Sequence, residues 1–157
     1  MGTVVRRPIA AAAAAVLFVE AVGIVFVNWI LGQVVDGQSM SLAGLDPGVM
    51  ATSTWIMGGL SGLYLVVCGV VLVRSALSDR PPGRVGRILL IVCAVVHVVL
   101  GALAVGLVGW PAFVLMMVEF GLIVLALIAF GPRVERDRAD PVDAPKSGPE
   151  NGAPAPA

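Results

Sequence analysis

The sequence predicts an all-α, polytopic membrane protein: a bundle of four transmembrane helices with both termini in the cytoplasm. The first observation is composition, because 59% of the 157 residues are hydrophobic and 13% are charged, with a mean hydropathy of +1.00. Soluble domains contain about 45–50% apolar and about 25% charged residues. The second is that the apolar residues form long runs, and the third is that arginines cluster at only some ends of these runs.

The apolar runs set the number of crossings. One covers residues 8–35, another covers residues 50–73, and the last extends over residues 88–130. As one helix the last run would be about 65 Å long, roughly twice the hydrocarbon thickness of a bilayer. It must therefore fold back. The Gly-Trp-Pro segment at 109–111 is the expected turn, because Gly favours a helix end and Pro the first turn of the next helix.

The predicted transmembrane domain covers residues 1–132, with helices at about 9–33, 51–73, 88–109 and 111–130. Each span must be helical because lipid offers no hydrogen-bond partner to an unpaired backbone. Residues 133–157 are rich in Pro, Asp, Gly and Ala and lack apolar periodicity. Such a segment cannot bury enough apolar surface to offset its ordering entropy, so it predicts a disordered cytoplasmic tail.

The arginine distribution predicts the orientation. Arginines precede the first span, fill the second connection and follow the fourth span: Arg6, Arg7, Arg74, Arg80, Arg84, Arg87, Arg133, Arg136 and Arg138. The other two connections contain no Lys or Arg, and the first carries Asp36 and Asp46. Since cytoplasmic loops are enriched in basic residues, we expect a multi-pass protein of the cell membrane with both termini inside. Tryptophans fall at the three predicted outer ends, as interfacial anchors would: Trp29, Trp55 and Trp110.

One polar side chain in each span is a candidate for function: Glu20, Tyr64, His97 and Glu119. Counted from the cytoplasmic ends at about 1.5 Å per residue, each lies about 15–18 Å deep, near the bilayer centre. Ionisable groups inside a membrane are costly and usually face the bundle interior. Small residues accompany them at helical spacing, and the pattern Gly58-x-x-x-Gly62 allows close helix approach. We therefore expect the four groups to converge.

Convergence has a functional and a structural interpretation. A proton- or cation-handling centre is the functional one, because low dielectric disfavours a charged carboxylate and a nearby His can share its proton. A hydrogen-bonded cluster that fixes helix packing is the structural one. A metal site on Glu20, His97 and Glu119 is a third alternative. The Glu-x-x-His motif of helical di-iron bundles is absent, however, and neither a metal nor a catalytic residue is expected.

The segment Val19-Glu20-Ala21-Val22-Gly23 resembles the first helix of the small multidrug resistance transporters. Those four-helix proteins carry one membrane-embedded Glu there and act as dimers that exchange protons for cationic drugs. The resemblance implies Glu20 as a shared proton and substrate site, with Tyr64 as an aromatic neighbour. The chain departs from that pattern at His97 and Glu119, in its longer outer loop, in a third span without an aromatic wall and in its added tail. As a whole it resembles small actinobacterial four-helix membrane proteins of unknown function, which implies no activity.

Three function classes follow. We favour a non-enzymatic accessory or scaffold bundle in the cytoplasmic membrane, and a small proton-coupled transporter or channel is the alternative. A membrane enzyme comes third, because no nucleophile–base pair or phosphate-binding loop is present. The expected partners are the lipid bilayer and either a second copy or a larger membrane complex. A net charge of zero argues against nucleic acid, and no cofactor is expected.

Overall fold

The computed structural model describes residues 3–38, 44 and 46–131. Within these residues the protein is helical and has no strand. The helices are α1 (Thr3–Gln38), α2 (Pro47–Ser78), α3 (Arg84–Leu107) and α4 (Trp110–Ala129). All four are long and apolar enough to cross a membrane, which confirms the predicted all-α, four-helix membrane fold. The predicted disordered tail, 133–157, lies outside the described residues.

Helices α1 and α2 extend beyond the predicted spans at both ends. The apolar runs mark the part of a helix that suits hydrocarbon, whereas the helix itself ends where its terminal backbone groups find other partners. At the start of α2, the Asp46 carboxylate accepts hydrogen bonds from the backbone N–H of Gly48 at 2.8 Å and of Val49 at 3.3 Å. At its end, Asp79 adopts a left-handed conformation with φ 51°.

The connection between α3 and α4 consists of residues 108 and 109, and it shares Gly109 with the turn expected at 109–111. Gly109 has a φ of 115°, a backbone conformation that a side chain would strain. Pro111 follows in the first turn of α4, where its missing N–H leaves no helical hydrogen bond unmade. The Gly-Trp-Pro segment therefore ends one helix and starts the next.

Helices α1 and α2 form a close antiparallel pair because glycines of α2 face α1. A Cβ atom on Gly62 would overlap the Val25 side chain and lie 3.3 Å from the Ala21 carbonyl oxygen. A Cβ atom on Gly58 would overlap the side chain of Asn28. The close approach expected from the Gly-x-x-x-Gly pattern is therefore confirmed.

The hydrophobic core occupies only one half of the bundle. Its buried members are Ala10, Ala13, Ala14, Leu17, Ala21, Leu65, Cys68, Leu72, Ala76, Leu90, Cys93, Ala94, Ile123, Ala126 and Phe130. In every helix these residues run from the level of the polar side chain toward the same end. We call this half, which includes Arg6 and Phe130, the packed half, and the opposite half, which includes Trp29 and Trp55, the open half.

A cluster of side chains joins three helices at the end of the packed half. Arg6 of α1 lies 3.5 Å from the Asp79 carboxylate, just after α2. The same guanidinium lies 5.6 Å from the centre of the Phe130 ring, just after α4. The start of α1 and the ends of α2 and α4 therefore meet at one end of the bundle.

The tryptophans lie toward the other end. The Trp55 indole N–H donates to the Trp29 carbonyl at 3.2 Å, which ties the last turns of α1 to the first turns of α2. Trp110 is exposed at the start of α4 and packs edge-to-face with Phe113 at 5.8 Å between ring centres. Their predicted role as interfacial anchors stays a prediction.

Candidate functional site

Glu20 and His97 form a direct contact between α1 and α3. The Glu20 carboxylate oxygen Oε2 lies 2.9 Å from His97 Nε2. The His97 side chain is 2% exposed and that of Glu20 is 17% exposed. Two of the four polar residues predicted to converge are thus joined by a hydrogen bond in the interior of the bundle.

The other ring nitrogen of His97 determines how this pair holds its protons. His97 Nδ1 lies 2.8 Å from the carbonyl oxygen of Cys93, one turn earlier in α3. A carbonyl oxygen only accepts hydrogen bonds, so Nδ1 carries a hydrogen atom and donates it. One further proton is then shared between Nε2 and Oε2. The pair is neutral overall whether that proton resides on His97 or on Glu20, and it gains or loses a charge only when a proton enters or leaves.

Glu119 lies at the same level on α4 but without a partner. The residue is 1% exposed, and neither of its carboxyl oxygens has a hydrogen-bond partner among the described residues. Burying a polar group without a partner costs about 1–3 kcal/mol, and a charged one costs more. The structure therefore brings Glu119 into the interior but does not connect it to the Glu20–His97 pair.

Tyr64 of α2 is held by the backbone of α3. Its hydroxyl donates to the Leu89 carbonyl at 2.8 Å, and the thiol of Cys68 lies 3.9 Å from the same oxygen. Both cysteines of the chain are buried and free. Tyr64 consequently lies beside the Glu20–His97 pair and links two helices, but it makes no hydrogen bond to either member.

Two clefts separate the helices at the level of the polar side chains and extend mostly into the open half, and Glu20 lines both of them. One, of about 330 Å³, lies between α1, α2 and α3 and is lined by Tyr64 and His97 as well. The other, of about 370 Å³, lies between α1 and α4 and is lined by Glu119. In both clefts the polar side chains lie among apolar ones, and residues one turn nearer the packed end, such as Val16 and Cys93, line the clefts as well.

The described residues contain no group of three His, Cys, Asp or Glu side chains placed to hold a metal ion. Glu20 and His97 are in contact, but the Glu119 carboxyl group makes no hydrogen bond to either of them. A metal site on this trio therefore finds no support in the geometry.

The carbonyl of Cys93, which determines the His97 tautomer, was missed by sequence reasoning, because a backbone acceptor carries no residue-type signal.

The resemblance of the first helix to small multidrug resistance transporters implies a role for Glu20 and an aromatic neighbour at Tyr64. Both residues line the same cleft. Glu20 is paired, however, with His97, a residue that has no place in that pattern. The chain matches no protein-family model, no curated protein and no solved structure.

Proposed function

We propose that this integral membrane protein binds and releases protons at Glu20, His97 and Glu119 and couples this exchange to the movement of a small solute or ion. The observation that carries the proposal is the Glu119 carboxyl group, which is buried beside a cleft with neither oxygen paired among the described residues. The role is non-enzymatic, and it differs from the scaffold role that the sequence alone favours.

A purely structural polar cluster would be expected to satisfy its own hydrogen bonds. Fully paired polar networks stabilise helix packing, whereas one unpaired member costs more than an apolar side chain of the same shape. Glu20, His97 and Tyr64 meet this expectation, but Glu119 does not. A carboxyl group kept at such a cost suits a site that takes up a proton, a water molecule or a cation during its cycle.

The shared proton of Glu20 and His97 makes this pair a suitable exchange partner. Its neutral state is compatible with a low dielectric, and adding or removing one proton changes the charge beside the clefts that Glu20 lines. A solute that binds in a cleft would respond to that change, which is the basis of coupling. Glu20 is the common element, because it lines the cleft of His97 as well as that of Glu119.

The direction of access follows from the asymmetry of the bundle. The clefts lie mostly in the open half, and the core closes the packed half. The arginine distribution favours an orientation in which the packed half faces the cytoplasm. In that orientation, most of each cleft lies on the outer side of the Glu20–His97 pair, so we expect protons to reach the pair from outside the cell. Transport would require the core to part on the cytoplasmic side.

Proton flux into proteoliposomes tests this function. The full chain is reconstituted with a pH-sensitive dye inside, and an imposed membrane potential drives proton entry. We expect protons to enter liposomes with the wild-type protein faster than empty liposomes. Liposomes with Glu119→Gln or Glu20→Gln should take up protons no faster than empty ones. The matched control is Asp36→Asn, which makes the same chemical change at an exposed position of α1 and should retain the wild-type rate.

Folding of each variant is checked by gel filtration and circular dichroism before reconstitution. Wild-type protein that conducts no faster than empty liposomes, or folded Glu119→Gln protein with the wild-type rate, would refute the proposal. Infrared difference spectra between acidic and alkaline buffer give a second readout. A carboxyl C=O band that disappears in Glu119→Gln identifies the group that takes up the proton.

The scaffold role is the second candidate, and a groove on the outer face of the α1–α2 pair favours it. This groove, of about 490 Å³, has Ala21 and Gly62 among its lining residues, together with exposed apolar side chains such as Val22 and Phe26. Ala21 and Gly62 are already buried between α1 and α2, so the exposed apolar side chains are the part of the groove that another helix would contact. We therefore propose a transmembrane helix of a partner subunit, in a homodimer or a larger complex, as its occupant.

Blocking the groove separates this role from transport. Val22→Trp fills the groove and should abolish chemical cross-linking of the chain to its partner subunit in native membranes. Val95→Trp, at an exposed position of α3 that does not line the groove, should leave cross-linking unchanged. Cross-linking that persists in Val22→Trp would exclude the groove as the contact.

A further inference from the structure

The connection between α2 and α3 encloses a pocket of about 390 Å³ at the end of the packed half. Two arginines, two serines and two glycines are among its lining residues: Arg74, Ser75, Ser78, Arg80, Gly83 and Gly86. The pocket is therefore rich in hydrogen-bond donors, unlike the apolar clefts of the open half.

The charge of the pocket is positive. Neither Arg74 nor Arg80 has an ion-pair partner among the residues that the structure describes, where the ion pairs are Arg6–Asp79 and His97–Glu20. The nearest carboxylate in sequence, Asp79, lies 3.5 Å from Arg6. The Arg6 contact offsets the negative charge of Asp79. The positive charges of the two pocket arginines are therefore left to attract an anion.

Ser75 contributes a hydroxyl group to the pocket. Ser75 is 5% exposed, yet no hydrogen bond of its hydroxyl is found within the described part of the chain. Ser53 and Thr54, on the same helix, donate to the carbonyl four residues earlier at 2.7 Å and 3.0 Å. Since helical hydroxyls readily make that bond, the free hydroxyl of Ser75 is available to donate to a ligand in the pocket.

The first turn of α3 adds backbone donors at the edge of the pocket. Gly83 is the N-cap residue of α3 and makes no side-chain hydrogen bond to the turn. The bond from Arg87 N–H to the Gly83 carbonyl, 2.9 Å, is the first helical one, so the preceding N–H groups of this turn have no helical acceptor. Gly83 lines the pocket and leaves the start of this turn uncovered, because no atom lies within 4 Å of a Cβ added there, whereas Gly86 packs against the Val71 side chain. A helix N-terminus attracts anions.

From these features we infer that the α2–α3 pocket binds a phosphate group. Guanidinium groups match phosphate oxygens with paired hydrogen bonds, and the Ser75 hydroxyl and backbone N–H groups complete a donor set around a tetrahedral anion. The pocket lies at the end of two membrane-crossing helices, which is the level of lipid headgroups. The phosphate can therefore belong to an anionic phospholipid or to a soluble molecule, and the experiment distinguishes the two sources.

Thermal unfolding of the full chain in a neutral maltoside detergent at about 0.15 M salt, where exposed charges are screened, provides the assay. Dioleoyl phosphatidic acid and inorganic phosphate are titrated separately, with dioleoyl phosphatidylcholine as the uncharged lipid control. Wild-type protein should show a saturable rise in unfolding temperature with at least one of the two phosphate probes. A response to phosphatidic acid alone identifies a lipid headgroup, and a response to inorganic phosphate identifies a soluble ligand.

The double variant Arg74→Gln/Arg80→Gln should weaken binding at least about tenfold, because charge-assisted hydrogen bonds are lost. The control Arg7→Gln/Arg87→Gln removes the same charge from positions that do not line this pocket and should change affinity less than about threefold. Ser75→Ala should weaken binding by a smaller factor than the arginine pair without changing net charge. The inference is overturned if neither phosphate probe binds saturably, or if both double variants lose affinity equally.

Discussion

The two halves of the bundle are built from equally apolar helices but pack differently. In the packed half, side chains of all four helices meet in one core. In the open half, contacts are made within each hairpin: Gly32 faces Trp55 between α1 and α2, and Gly101 faces Met117 between α3 and α4. Apolar side chains gain little by leaving lipid, so helices associate where small residues and shape allow it. In the packed half, the alanines at 10, 13 and 14 of α1 are the small residues at the helix contact.

The sharpest test of this difference is water access. In a background with both native cysteines replaced by alanine, Leu100→Cys, which lines a cleft, should react with a membrane-impermeant maleimide. Leu90→Cys, fully buried in the core, should react at least about 100-fold more slowly, because labelling requires local opening.

The neighbouring variant Val99→Cys controls for exposure alone. Val99 is exposed on the bundle surface but lines neither cleft, so lipid should protect it. If Leu100→Cys is as unreactive as Val99→Cys, lipid fills the clefts, and the distinction between a wet open half and a dry packed half fails.

Truncating one leucine in each half measures the packing difference directly. Leu72→Ala in the packed half should lower the free energy of unfolding by about 2 kcal/mol, below the usual cost in water, because lipid is as apolar as the core and only packing is lost. Leu60→Ala, at an exposed position of the same helix, should cost less than about 0.5 kcal/mol. Chemical unfolding in mixed micelles gives both values, and equal losses would contradict a one-sided core.

Glu119→Met tests the border between the halves. Met has nearly the same shape as Glu and needs no hydrogen bond, so we expect the protein to become more stable by about 1 kcal/mol. Glu20→Met removes the partner of His97 and should destabilise the protein by a similar or larger amount. Unfolding curves of the two variants should therefore shift in opposite directions. A destabilised Glu119→Met would show that Glu119 is satisfied in the membrane.

The smallest effect concerns the closed end of the packed half. Arg6→Gln removes the contacts to Asp79 and to the Phe130 ring, and should cost about 0.5–1 kcal/mol in unfolding measurements. Arg7→Gln, at the exposed neighbouring position, is the control and should be neutral. A neutral Arg6→Gln would mean that the core alone holds the end of the packed half together.

Much of the fold was predictable, because hydrophobic length determines a membrane helix. The four spans, the turn at Gly109 and the close approach at Gly62 follow from residue type and spacing, and all are found. The true helix ends were not predictable from hydropathy, since caps such as Asp46 lie beyond the apolar runs. The packing asymmetry was also not predicted, because an apolar run suits lipid and a helix contact equally well.

For the candidate site, the depth of the polar side chains in the bundle was predictable, but the hydrogen bonds between them were not. Counting residues gives the depth of a side chain, and it placed Glu20 and His97 together. It does not give the rotation of each helix about its axis, which decides that His97 meets Glu20 while Glu119 stays unpaired. Nor does it reveal that the Tyr64 hydroxyl donates its hydrogen bond to a backbone carbonyl.

The two-residue connection at Gly109 has a consequence for biogenesis. Helix α4 contains 20 residues and is strongly apolar, so leaving it in water while α3 inserts alone would be unfavourable. The two-residue connection is also too short to hold α4 at a distance from the bilayer. The two helices are therefore expected to enter the membrane together as a hairpin, and in the orientation that the arginines predict its leading tip, Val108-Gly109, bears no charge. In the same orientation, insertion of α1 and α2 would differ, because Asp36 near the end of α1 and Asp46 just before α2 would have to cross the hydrocarbon during synthesis.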